Sequence, residues 1–272
     1  MGRTGGGRNS FAGSEIIDGR AARIQSVLRQ PFAVARGGLT GRRWIGLRSK
    51  EKLTIEDTEE VILENSPKTH TRASELIKAG GVIAFRTDTF YGLGADPFNL
   101  EAVKRIKRLK RREEGKPILI VISDRDQVER FITGRSESFD TLADEFWPGP
   151  LTLIGKARRK LPDDVTAGTK TIGVRLPDDD NVRALVSACG GALTATSANP
   201  SDKAPAKTAE EVERYFGPAI DMIVDGGPAL TDRPSTVVSV TGAGARLIRE
   251  GVIAWSEIER SRDRKTHGNK SG

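Results

Sequence analysis

Short polar clusters stand at the ends of apolar runs, and their residue types suit anion binding better than covalent catalysis. The segment RTDTFYGLGAD (86–96) sets Thr87, Asp88, Thr89 and Tyr91 after the apolar run GVIAF. Gly92 and Gly94 follow, and a glycine pair lets backbone approach a ligand. In KRREEGKPI (110–118), Lys110 and Arg112 would share one face of an extended backbone, since side chains two apart point the same way. Clustered positive charge beside a glycine suits a polyphosphate, each charge-assisted hydrogen bond being worth about 1.5–3 kcal/mol. TATSANPS (194–201) ends an apolar run with Thr196, Ser197 and Asn199, while RPSTVVSV (233–240) and LIREG (247–251) add Ser235, Thr236 and Arg249. Taken singly, each cluster also reads as ordinary structure: a turn, a strand end, or a solvated helix end favoured by its dipole.

Several chemistries are excluded by what the chain lacks. No GxxxxGK[ST] occurs, so this is not a P-loop nucleotide hydrolase. The third glycine of a dinucleotide fingerprint is missing after Gly92 and Gly94, where positions 95–97 read Ala-Asp-Pro. His70 and His267 are the two histidines and Cys189 the one cysteine. That set supports neither a Ser-His-Asp triad nor a structural zinc site, and an internal disulfide is impossible.

The elements that must position the polar clusters follow from the rest of the pattern. At 272 residues the chain allows one large domain or two small ones, at roughly 150 residues per domain. The formal net charge of +7 is unevenly spread. Residues 1–50 carry ten basic residues against two acidic, and 260–272 five against one, whereas 51–259 holds 29 basic against 34 acidic. The basic character therefore belongs to the flanks. Between about 65 and 259, short apolar runs alternate with amphipathic segments, an α/β rhythm. Helices are expected near 71–79, from Asn99 to about Arg111, after the Asp124/Gln127 capping box, and from the Thr208/Glu211 box to Phe216. Strands are expected at 81–86, 117–122, 151–155, 171–176, 192–196, 222–225, 235–240 and 245–249. No run of about 18 apolar residues exists to span a membrane.

In this order, FRTDTFYGLGAD, KRREEGKPI, FWPGPLTLI, GVRLP, TATSAN, PSTVV and IREG resemble the YrdC-type family, the L-threonylcarbamoyladenylate synthases of the tRNA N6-threonylcarbamoyladenosine modification. The resemblance implies an α/β fold with a twisted open mixed sheet, flanking helices and a positively lined groove. It implies a nucleotidyltransferase that joins L-threonine, bicarbonate or CO2, and ATP into threonylcarbamoyl-AMP and pyrophosphate, with Mg2+ accompanying ATP and no protein-held metal. By the same resemblance Lys110 and Arg112 match K-x-R, and Ser197 and Asn199 match S-x-N. These four would line the nucleotide site, with Lys110 and Arg112 the catalytic pair, exposed in the groove. Ser235 and Arg249 match further nucleotide contacts, while Thr87, Thr89, Tyr91 and Arg175 match positions bordering the substrate or the adenylated intermediate. The sequence departs from the family at Arg86 and Glu113, each usually Pro, and near Val121, where relatives have a His that bears on amino-acid choice.

Such a reaction agrees with the residues present. A threonine carbamate attacking the α-phosphate needs no protein nucleophile, only alignment and neutralisation of the charge moving onto pyrophosphate. The expected organisation is a basic extension at 1–64, a YrdC-like catalytic domain at 65–259 and a basic tail at 260–272, the short, single-domain form. Composition leaves open whether 1–64 is a targeting peptide, a solvated tail or a mis-assigned start. The short form would be cytoplasmic and would hand its product to tRNA threonylcarbamoyl transferase proteins. The rival reading is a YrdC-like paralogue that binds tRNA or double-stranded RNA, or acts on another carbamoyl-type substrate.

Overall fold

The computed structural model describes residues 61–111, 115–242 and 244–268, with side chains to Arg262. In chain order the elements are β1 (Ile62–Glu64), α1 (Pro67–Lys78), β2 (Ile83–Arg86), β3 (Tyr91–Gly94), α2 (Leu100–Lys110) and β4 (Ile120–Ile122). A 3-10 helix (Arg125–Arg130), α3 (Glu137–Phe146), β5 (Leu151–Lys156), α4 (Asp163–Thr166), β6 (Thr171–Arg175) and α5 (Asp180–Ala188) come next. The remainder is β7 (Ala192–Thr194), β8 (Thr196–Ser197), α6 (Ala209–Phe216), β9 (Met222–Asp225), β10 (Thr236–Ser239), β11 (Arg246–Arg249) and α7 (Trp255–Gly268).

The strands form two mixed sheets, one of order β1-β9-β2-β3-β8 and one of order β11-β10-β5-β6-β4-β7. The mixed α/β architecture with flanking helices is the expected one; the single open sheet is corrected to two. The physical reason lies in the run ALTAT, which reads as one strand. Its first half, β7, pairs antiparallel with β4 in the second sheet, and after Ala195 the chain crosses to pair β8 with β3 in the first. The Ala195 amide is held on the Leu119 carbonyl at 2.9 Å, which ties the crossing point to the segment before β4.

Strand β2 shows why its apolar run is continuous. Val82 and Ala84 enter one buried cluster while Ile83 and Phe85 enter another, so both faces are covered. Helices α1 and α5 cover the second face through Ala73, Ile77, Val182, Leu185 and Val186. Helix α1 starts at Pro67, earlier than residue 71, because Ser66 caps it by accepting the Thr69 amide and Pro67 supplies a preset first turn.

Other expectations shift in instructive ways. The Asp124 box opens a 3-10 helix instead of an α-helix. YGLG, whose glycine pair suggests close approach to a ligand, is strand β3, antiparallel to β2. Within it a Cβ on Gly94 would lie 2.7 Å from the Phe85 ring, so this glycine makes room for a core aromatic and not for a ligand. Helix α2 runs through Lys110, and Arg111 then turns left-handed at φ 49°, so Lys110 does not stand on an extended backbone. Arg112 and Glu113 lie outside the described residues, as do 1–60 of the expected extension and the last four residues of the tail. Structure begins before residue 65, since β1 pairs parallel with β9, and α7 runs across the expected boundary at 259/260.

Candidate active site

A cavity of about 520 Å³ opens between the two sheets. The Thr87–Phe90 turn and β3 form one wall, and β5, β6 and the start of β10 face them. The segment before β4, strand β8 and Arg249 on β11 complete the lining.

In the first wall the hydroxyl of Thr87 donates to the Phe90 carbonyl at 2.8 Å and accepts the Thr89 amide at 3.2 Å. With its proton spent, Thr87 must be the acceptor in its 3.1 Å contact with the Thr89 hydroxyl. Thr89 in turn accepts from Nη1 of Arg175 at 3.2 Å. A fixed direction of donation thus runs from Arg175 through Thr89 and Thr87 to backbone. Arg175, at the end of β6, is 3% exposed. Its Nη2 stands 3.3 Å from Oδ1 of the buried Asp88.

Across the cavity, Arg249 donates from Nη2 to the Ser235 carbonyl at 2.9 Å and to the Ser235 hydroxyl at 3.3 Å. Ser235 Oγ also lies 3.0 Å from the Thr152 hydroxyl. Desolvation, and secondarily the charge of Arg175, hold the Arg249 guanidinium below its ordinary pKa. Both guanidinium groups belong to the lining of one cavity. Ser197 on β8 lines the cavity, and its hydroxyl has no hydrogen-bond partner among the described residues.

Of the residues expected from sequence, Thr87, Thr89, Tyr91, Arg175, Ser197, Ser235 and Arg249 come together around this space. Tyr91 is fully buried, its hydroxyl 2.9 Å from Asp225 Oδ1 and 2.8 Å from the Gly227 carbonyl. Burial, and then Asp225, push its phenol far above the usual range, so it is a neutral structural donor. Lys110 and Asn199 do not line the cavity. Lys110 is 2% exposed, and its ammonium donates to the Ser197 carbonyl, to the Asn199 carbonyl at 2.6 Å and to Asn199 Oδ1 at 3.3 Å. The expectation that Lys110 stands exposed in the groove is thereby overturned: the end of α2 packs beneath the S-x-N turn and its carbonyls take the charge. Asn199 spends its amide on the Pro200 and Lys203 carbonyls, at 2.8 and 2.5 Å. From the segment carrying Val121, the residues at the cavity are Pro117 and Leu119; Val121 itself is packed in the apolar cluster.

Sequence reasoning gives no role to Thr152 or to the Asp88 carboxylate. Thr152 carries a visible signal, a polar residue inside the apolar strand LTLI. The partnership of Asp88 with Arg175 carries none, because the two stand in turns and strands far apart along the chain and no local pattern joins them.

A cavity between two mixed sheets, lined in part by two guanidinium groups and a rim of hydroxyls, with no His or Cys among its described lining residues, marks the candidate site of this mixed α/β fold. The family model Sua5_yciO_yrdC, described as "Telomere recombination", matches residues 75–251, and the chain belongs to that family. The "Threonylcarbamoyl-AMP synthase" of Thiobacillus denitrificans is 38% identical over 173 residues, covering 64% of this chain and 90% of that protein. That of Halorhodospira halophila is 37% identical over 165 residues, covering 61% and 86%. Among solved structures, P. abyssi Sua5 complexed with L-threonine superposes with a TM-score of 0.72 at 33% identity, over 74% of this chain and 61% of that longer one.

Proposed function

We propose that the chain is a threonylcarbamoyl-AMP synthase, a nucleotidyltransferase using L-threonine, bicarbonate or CO2, and ATP. The observation that carries this reading is the convergence of Arg175, Arg249 and the hydroxyls of Thr89, Ser197 and Ser235 on one cavity that offers charge and donors, with no His or Cys among its described lining residues to activate a nucleophile. In the reaction a carbamate oxygen of N-carboxythreonine bonds to the α-phosphorus of ATP. The bond from that phosphorus to the bridging oxygen breaks, and its electron pair leaves on pyrophosphate. The protein's task is to align the reactants and meet the developing charge. Arg249, anchored on Ser235, and Arg175, anchored on Thr89, are the groups for that charge. Lys110 acts at one remove, by fixing the carbonyls of Ser197 and Asn199 so that the Ser197 hydroxyl faces the nucleotide.

Among the described residues no group of three or more His, Cys, Asp or Glu could hold a metal. In this reading Mg2+ comes with the ATP phosphates as part of the substrate, where it would supply charge neutralisation. Transfer of the threonylcarbamoyl group to tRNA would fall to other proteins. The purified protein, given ATP, threonine and bicarbonate, should yield a product with the mass of threonylcarbamoyl-AMP. Absence of that product, with RNA bound in its place, would favour the RNA-binding paralogue.

A further inference from the structure

Both carboxylate oxygens of Asp88 are buried, and neither accepts a hydrogen bond. The side chain is 5% exposed. A buried carboxylate in this condition is costly unless a charge answers it. The answering charge is Arg175, whose Nη2 is 3.3 Å away and whose own side chain is 4% exposed. Arg175 shares the lining of the cavity with a second guanidinium, Arg249, whose pKa its charge helps to lower. Unanswered, a buried cation with a like-charged neighbour would turn away from the cavity or draw water into the wall.

We propose that Asp88 is a positioning residue: its carboxylate is the counter-charge that keeps the Arg175 guanidinium in the cavity wall against Arg249. The form of the contact matters. A two-pronged carboxylate–guanidinium fork would spend two N–H donors of Arg175 on Asp88. A charge contact without hydrogen bonding holds the cation yet spends none of them. Nη1 is then steered onto Thr89, and Nη2 is not spent in a hydrogen bond to Asp88. Asp88 also offsets the charge of one of the two guanidinium groups at the cavity. The inference rests on the synthase reading for its kinetic consequences but not for its structural ones.

The test is a double-mutant cycle on D88N, R175Q and D88N/R175Q in the full-length protein. In pyrophosphate release, D88N should lower kcat/KM at least tenfold in the native background and less than twofold in the R175Q background. An equal loss in both backgrounds, or no loss in either, overturns the proposal. Side-chain NMR of 15N-arginine-labelled protein gives a readout independent of the reaction. The Arg175 guanidinium signal, identified by its disappearance in R175Q, should show hindered rotation in the native protein and in D88E, and free rotation in D88N. An unchanged signal in D88N overturns the proposal even if the protein makes no pyrophosphate, an outcome that would sink the synthase reading alone. Should D88N melt too low to assay, thermal stability carries the same information. Removing Arg175 strands the carboxylate, so D88N/R175Q should melt above R175Q, and failure to recover stability counts against the counter-charge.

Discussion

Lys110 shows how a residue type with an obvious ligand role can be committed elsewhere. Its ammonium is buried at the end of α2 and bonded to the Ser197 and Asn199 segment. Lys110→Met should therefore destabilise the fold, at about 1–3 kcal/mol for each buried carbonyl left without a donor. Urea denaturation checks this, and unchanged stability with lost activity would return Lys110 to direct contact with substrate. Arg249 is the contrasting case, exposed overall and anchored by Ser235. Arg249→Ala should leave the melting temperature nearly unchanged. It should weaken ATP binding roughly tenfold or more, corresponding to about 1.5–3 kcal/mol for a charged hydrogen bond, as read by calorimetry. Tyr91 gives a pH-dependent prediction. Its folded-state pKa is raised by burial, so its contribution to stability is fully present below the unfolded value of 10.0 and is lost as pH rises above it. Tyr91→Phe removes that titration, and alkaline unfolding should shift to higher pH relative to the native protein.

Elements explain where the site is legible in the sequence and where it is not. The apolar periodicities of β2, β5, β6 and β9 are readable because both faces of these strands are largely buried and their runs are mostly apolar. The caps at Asn99 and Thr208 are readable because the capping interaction is local, from Asn99 to Ala102 and from Thr208 to Glu211. The split of ALTAT into β7 and β8 is not, since only the partners β4 and β3, distant in sequence, decide where the strand changes sheets. The two glycines of β3 differ for the same reason. A Cβ at Gly94 would meet the Phe85 ring at 2.7 Å, whereas at Gly92 the nearest atom is 3.5 Å away, in ordinary contact. Gly94→Ala should cost about 1–3 kcal/mol as overpacking. Gly92→Ala, which adds a methyl at the cavity wall, should fold nearly as the native protein does. Parallel thermal melts decide it, and equal losses at both positions would contradict the account of β3.

At the scale of the whole molecule, the division of charge along the sequence separates basic flanks from a slightly acidic body. It does not reveal the edge of that body, because β1 is only three residues long and is recognisable by its partner β9. Ile223 donates its amide to the Val61 carbonyl at 2.7 Å and Asn65 donates to Asp225 at 3.0 Å, so the fold is bound from residue 61 onward. Deleting 1–60 should preserve the melting temperature, while deleting 1–64 should lower it by removing a strand from the first sheet. Equal stability of the two truncations would place β1 outside the cooperative unit. The central claim is that one cavity aligns three small reactants without a covalent intermediate, and the most direct measurement is pyrophosphate release from ATP by the full-length protein with threonine and bicarbonate supplied together or singly. The account predicts release only when both are present, and its loss in R249A. Release that continues without threonine, or none when all three substrates are supplied, would contradict it.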